Sequence, residues 1–160
     1  MGRSQIGILA AYLMLCGTAG ASPSMEAISK VVAAATAIQG DIAMAQKRFS
    51  VMSRELAETE RCAARELLGT SIDFRQVTDQ AIVVGRIVGE MKSVEDQSTL
   101  RRHLGQVAYH VAAIGENDIE LVNDLMANLT TPEAIAGATV LRDKMIEVRD
   151  LLKPLASERP

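Results

Sequence analysis

Two histidines, His103 and His110, are the side chains in this sequence that most readily suggest metal or haem chemistry. They are seven residues apart, so they share one face of a helix but lie about 10 Å apart along its axis. Two ligands from one helix to one metal ion need a spacing of three or four residues, as in HExxH. A site would need ligands from a second helix, which the sequence does not identify. We interpret both as surface residues beside Arg101 and Arg102, with metal ligation as the alternative.

Cys62 is the second side chain with chemical potential, because the only other cysteine lies in the N-terminal segment. A catalytic thiol needs a base within hydrogen-bond reach, and no histidine is nearby in the sequence. We predict a half-buried small residue at this position. The alternative is a disulfide between two chains, which an oxidising compartment outside the cytoplasm would permit.

The remaining residue patterns do not point to an enzyme. The sequence contains no GxSxG, no P-loop and no glycine-rich dinucleotide fingerprint. It also has no CxxCH, the usual motif for covalent haem. A nucleophile, a base and an orienting group cannot be assembled from two histidines and one cysteine. The sequence therefore predicts a non-enzymatic protein without a cofactor.

The composition is that of one globular domain without affinity for nucleic acid. The chain has 160 residues, of which 48% are hydrophobic and 23% are charged. Its formal net charge of −3 gives no general attraction to polyanions. Aromatic residues make up only 2%, too few for the stacking platforms that bind single-stranded nucleic acid.

Residues 1–21 have the order of a secretory signal peptide. A basic residue precedes an apolar run over 6–16, and small residues follow, with a cleavage position before Ser22. The run is shorter than the roughly 20 residues that a membrane span needs. We expect export to the periplasm or the exterior, and no stable membrane span once the signal is removed. The alternatives are an uncleaved anchor and a lipid attached to Cys16.

The apolar residues that follow repeat in alternating steps of three and four over about five heptads, which is the pattern of a coiled-coil seam. They predict one long first helix over residues 25–68, about 65 Å in length, that ends at Gly69. Shorter partner helices would leave part of this seam bare, and bare apolar surface of that size usually marks an interface. The predicted interface residues are Ile28, Val31, Ile38, Ile42, Phe49, Met52 and Leu56.

Three further helices follow from the same reasoning. The second is predicted to begin at Ser71 or Asp73, and it could be continuous with the third. The third is predicted to contain a kink or a short break near residues 115–117. Thr131 as the capping residue, followed by Pro132 in the first helical position, marks the clearest helix start in the chain. Residues 155–160 are predicted to be a loose tail. The sequence thus predicts an all-α fold, an elongated antiparallel bundle of about four helices, in a single domain over residues 22–160.

Two classes of function remain open. The long seam, together with the lack of convergent polar groups, favours a protein that acts through protein–protein contacts, either as an adaptor or as a homo-oligomer. The alternative is a carrier or sensor of a small ligand, haem or a metal, with a pocket inside the bundle. Helical-bundle folds serve both purposes, so the sequence pattern alone does not separate them.

Overall fold

The computed structural model describes residues 24–91 and 94–156, except for the side chains of 94–97. The predicted signal peptide and Cys16 lie outside the described residues. Within that part of the chain there are four α-helices, one short 3₁₀-helix and no strand, so the predicted all-α bundle is confirmed. The α-helices are α1 (Met25–Met52), α2 (Glu58–Glu90), α3 (Val94–Met126) and α4 (Pro132–Leu152), and the 3₁₀-helix is Lys153–Leu155.

Neighbouring helices run in opposite directions. Residues near the start of α1 lie beside the end of α2, where Val32 packs against Gly85. Toward the end of α1, the Gln46 amide donates a 3.2 Å hydrogen bond to the hydroxyl of Ser71, near the middle of α2. Each helix packs against the next, and α1 also packs along α4, which closes the bundle around one apolar core.

The predicted long first helix is wrong, because α1 ends at Met52 and a turn separates it from α2. The turn has its own hydrogen bonds: Ser53 N donates to Phe49 O at 2.8 Å, and the Arg61 guanidinium donates to Leu56 O at 2.8 Å. Leu56 remains in the core, only 5% exposed. The heptad spacing continues across the turn because it records which positions are buried, and a chain that folds back can bury them as well as a straight helix can.

Two positions predicted to interrupt the helices lie inside unbroken helices. Helix α2 continues through Gly69 and Ser71, and the Ser71 hydroxyl donates within the helix to Leu68 O at 2.8 Å instead of capping a new helix. Helix α3 continues through Gly115, where a kink was predicted. A methyl group at Gly115 would lie 2.9 Å from Phe74 Cε2, so this glycine allows two helices to approach closely.

The predicted seam is covered by the chain itself. Helices α2 and α4 both pack against α1, so a seam expected to be bare forms the centre of the bundle instead. The only one of the seven predicted interface residues that is not fully buried is Met52, which is half-buried. The six core residues are Ile28, Val31, Ile38, Ile42, Phe49 and Leu56, each at most 5% exposed.

The start of α4 agrees with the sequence prediction, but the segment that follows α4 differs from it. Helix α4 begins at Pro132, as predicted. The predicted loose tail begins too early, because Leu155 is 7% exposed and belongs to the core. Burial of the Leu155 side chain stabilises the packing of the 3₁₀-helix against the bundle. Residues 157–160 of the predicted tail lie outside the described residues.

Helix α1 has the length and apolar composition of a membrane span, the only helix with both properties among residues 24–91 and 94–156. Within its most apolar stretch, 44% is buried inside the bundle. Packing of its apolar side against α2 and α4 is sufficient to explain this composition.

Candidate functional site

The two predicted metal-ligand candidates, His103 and His110, are exposed on α3. The His110 ring lies edge-on to the ring of Tyr109, with 6.2 Å between the centroids. No group of three or more His, Cys, Asp or Glu side chains suited to a metal ion is present in the described ranges. The fold therefore does not bring these histidines together with ligands from a second helix.

Cys62 is exposed near the start of α2, so the predicted half-buried position is wrong. Ala63, Ala64 and Leu67 form the buried side of α2 at this point, and Cys62 lies on the solvent side of the helix. The thiol is accessible from solvent, and the interchain disulfide remains a prediction.

A groove with an apolar lining lies between α1 and α4. It encloses about 440 Å³, and a second depression continues from it along α1 to Glu55. We refer to it as the α1–α4 groove. Its lining residues are Asp41, Met44, Ala45, Arg48, Phe49 and Met52 from α1, with Gly137, Val140 and Lys144 from α4.

Small residues on both helices shape this groove. A methyl group at Gly137 would lie 2.9 Å from Phe49 Cδ2 and 3.3 Å from Met52 Cε, so only glycine lets α4 approach the Phe49 ring this closely. Phe49 itself is 1% exposed and seals the floor. Ala45, also small, lines the α1 side. The result is a shallow channel with an apolar floor instead of a cavity inside the core.

Three apolar side chains at the groove and the depression beyond it remain about half exposed. Met44 is 55% exposed, Val51 is 56% exposed and Val140 is 49% exposed. Met44 and Val140 line the α1–α4 groove, and Val51 lines the second depression together with Met44. Single exposed apolar residues are normal, but apolar residues grouped around a groove are typical of a binding surface.

Lys144 offsets part of the acidic charge at the groove. The Lys144 ammonium lies 3.3 Å from Asp41 and 2.7 Å from Glu147. Burial lowers the pKa of Lys144, but hydrogen bonds and charge attraction from Glu147 and then Asp41 outweigh it, so this pKa lies above its ordinary value. Lys144 thus stays charged and balances one of the two negative charges of Asp41 and Glu147.

Two basic side chains beside the groove have no such neutralisation. Lys47 and Arg48 form no ion pair with any of the described residues. Both line the second depression, and Arg48 lines the α1–α4 groove as well. Glu55 is the acidic residue at the far end of the depression. The centre of this surface is therefore apolar with a basic edge.

A buried carboxylate that sequence reasoning missed joins the start of α2 to the start of α4. Glu60 is 6% exposed, and its Oε1 accepts hydrogen bonds from Thr130 N at 2.6 Å and Thr131 N at 2.8 Å. Its Oε2 accepts from the Thr131 hydroxyl at 2.9 Å. The Thr131 and Thr130 amides, followed by the Thr131 hydroxyl, lower the pKa of Glu60 to about 2.

This cluster corrects the predicted capping role of Thr131. Its hydroxyl donates to Glu60 and makes no capping hydrogen bond to α4. The carboxylate instead accepts backbone N–H groups that precede the helix. With both oxygens occupied, Glu60 has a structural role, and the only signal in the sequence is an acid in the first turn of a helix.

The pKa of Asp118, a carboxylate between α2 and α3, is also shifted. Asp118 Oδ2 is buried without a hydrogen-bond partner. Burial, and to a lesser extent the negative charge of Asp73, raises the pKa of Asp118. These two acids belong to the other side of the bundle from the α1–α4 groove, and neither lines it.

Comparisons with protein-family models, curated proteins and solved structures found no match for this chain. The function must therefore be inferred from the surface and from the sequence pattern.

Proposed function

We propose that this chain is an exported, non-enzymatic helical protein that acts through protein–protein contacts, and that the α1–α4 groove is its binding site. The observation that carries the proposal is the group of half-exposed apolar side chains around the groove: Met44, Val51 and Val140. The seven residues predicted from the sequence to form the interface are largely internal, so the proposed contact surface lies on the flank of α1 beside α4, where Phe49 and Met52 are the two of the seven that line it.

The three exposed apolar side chains are too small a contact to hold a partner by themselves. Full burial of a valine or methionine side chain stabilises by about 1.5–3 kcal/mol, so burial of the exposed half of three such side chains contributes about 3 kcal/mol. Association costs at least that much in lost translational and rotational freedom. A partner must therefore also fill the groove above Phe49, whose ring forms its floor.

A site-specific crosslink tests the proposed site. A photo-crosslinking amino acid at Val140 of the full chain, expressed in its own host, is expected to capture one protein species. The matched control is Val83 on α2, which is 52% exposed, compared with 49% for Val140. The captured segment, identified by mass spectrometry and synthesised, should then bind the purified chain saturably and lose binding to Val140→Asp.

The proposal would be contradicted by identical adducts at both positions, or by a captured segment that binds Val140→Asp as well as the parent chain. Circular dichroism of each variant shows whether the bundle remains folded, so a loss of binding is separated from a loss of structure.

The export part of the proposal rests on the pattern in residues 1–21. The intact mass of the protein recovered from outside the cytoplasm is expected to correspond to a chain that begins at Ser22. Retention of residues 1–21 would support an uncleaved anchor, and a mass increase on a chain beginning at Cys16 would support lipid attachment.

A small apolar ligand in the same groove is the second candidate function. The volume of about 440 Å³ lies within the range of small-molecule sites, about 300–1,000 Å³. Native mass spectrometry of the protein purified from its host separates the candidates. A bound mass that is removed by organic extraction supports the carrier, and an unliganded mass together with the Val140 crosslink supports the protein partner.

A further inference from the structure

We infer that the occupant of the α1–α4 groove is an acidic amphipathic helix of a partner protein. This inference rests on the proposed function and adds the shape and charge of the partner. The shape is inferred from the length of the groove and from the absence of a strand edge in the described residues. The charge is inferred from Lys47 and Arg48, which form the basic rim of this surface.

The form of the groove favours a helix over an extended segment. From Asp41 to Met52 it follows twelve residues of α1, which are eleven steps of 1.5 Å or about 16 Å, and this corresponds to about three turns of a docked helix. An extended peptide that binds by strand addition needs a strand edge for its backbone N–H and C=O groups, and the structure has no strand in residues 24–91 and 94–156. A helix satisfies these groups internally and offers apolar residues at i, i+3 or i+4, and i+7.

The charges around the groove favour acidic residues on that helix. Lys47 and Arg48 are basic and have no ion pair within the described part of the chain. The chain as a whole has a formal net charge of −3, so the basic rim differs in sign from the rest of the molecule. Complementary charge at an interface accelerates encounter and selects the orientation of the partner.

Arg48 is the residue through which the charge preference should act. It lies four residues after Met44 and three before Val51, so it shares one face of α1 with these two exposed apolar side chains. It lines both the α1–α4 groove and the second depression. A carboxylate beside the apolar face of the docked helix could form the two parallel hydrogen bonds that a guanidinium offers.

The test uses two fluorescent helical peptides with the same leucines at i, i+3 and i+7. One carries glutamates at the remaining positions and the other carries lysines. Fluorescence anisotropy with the full-length chain at about 0.15 M salt, where the Debye length is about 8 Å, is expected to show saturable binding of the glutamate peptide, and binding of the lysine peptide at least about tenfold weaker. Arg48→Glu should weaken binding of the glutamate peptide about tenfold, and Val140→Asp should abolish it.

The matched control is Arg102→Glu, which makes the same change in net charge at an exposed arginine on α3. It is expected to leave the affinity within about twofold, since exposed charges separated by more than a Debye length are screened. Equal binding of the two peptides, no binding of either, or the same loss for Arg102→Glu as for Arg48→Glu would overturn the inference. Circular dichroism confirms that each variant is folded.

A vesicle arm tests the other source of negative charge. If vesicles of phosphatidylglycerol and phosphatidylcholine bind, and Arg48→Glu removes this binding while neither peptide binds, the surface recognises lipid and the inference is wrong. The peptide experiment and the crosslinking experiment at Val140 can also fail independently of each other. A segment captured at Val140 that lacks acidic residues would preserve the proposed function and overturn this inference, whereas failure of both experiments would remove both.

Discussion

The same substitution, glycine to alanine, should have opposite effects at two positions of this bundle. Gly40 is exposed within α1 and has open space around it, so a methyl group there meets no other atom within 4 Å. Gly85 is buried in α2, where a methyl group would overlap Val32 Cγ2 on α1 and lie 3.6 Å from Leu104 Cδ1 on α3. Both glycines lie inside helices, so the effect of alanine on backbone entropy is the same at the two positions. Only the packing around the added methyl group differs.

The magnitude follows from two terms. Alanine in place of a helical glycine stabilises by roughly 0.5–1 kcal/mol at either position, because less backbone entropy is lost on folding. At Gly85 the extra methyl group costs about 1–3 kcal/mol, the usual range for overpacked cores. Val32 cannot rotate away cheaply, since a valine in a helix has one strongly preferred rotamer. The backbone term cancels between the two variants, so their free energies of unfolding should differ by about 1–3 kcal/mol.

Urea unfolding of the parent chain, Gly40→Ala and Gly85→Ala, followed by far-ultraviolet circular dichroism, measures this difference, provided that the slope m is the same for all three. Val32→Ala combined with Gly85→Ala should recover part of the loss, because the atom that is overlapped has been removed. If Gly85→Ala stabilises the chain as much as Gly40→Ala does, then α1 and α2 do not approach closely at Gly85 and Val32, and the reasoning is refuted.

Three other changes should have measurable effects. The folded-state pKa of Glu60 is about 2 and its ordinary value is 4.5, so the stability it contributes is fully present above pH 4.5 and declines as the pH falls toward 2. Thermal melts of the parent chain and Glu60→Gln over this pH range should therefore converge at the acid end, and parallel curves would contradict this role. Asp118→Asn should raise the melting temperature at neutral pH, since burial and Asp73 disfavour the charged form of Asp118. An unchanged or lower value would show that the carboxylate is better solvated than described. Exposed Cys62 should allow a dimer on a non-reducing gel after oxidation, which reducing agent or Cys62→Ser removes. A monomer in all three samples would exclude the disulfide.

The start of α4 and the content of the core could be predicted from the sequence because both depend on residues close together in the chain. Thr131 and Pro132 limit the backbone at the boundary, wherever the rest of the chain lies. Apolar spacing predicted the burial of Ile28, Ile42 and Phe49, since the 3.6-residue period of a helix places them on one side.

The candidate site could not be predicted in the same way. The α1–α4 groove depends on Gly137 lying opposite Phe49, and nothing local to either residue indicates that contact. The predicted interface used the most regular apolar residues, yet the fold buries those and exposes Met44 and Val140 instead. Periodicity distinguishes the inner face of a helix from its outer face, but it does not show which outer residues border a concave surface.

The sequence by itself determined that this chain forms amphipathic helices around an apolar core, because helix period and burial are properties of neighbouring residues. The tertiary structure decided where the chain turns back after Met52, how Glu60 binds the amides of Thr130 and Thr131 about seventy residues away, and where an apolar groove stays open. These features depend on free energies of contact between distant segments. Such contacts outweigh the local preferences of a glycine or a serine, as they do at Gly69 and Ser71.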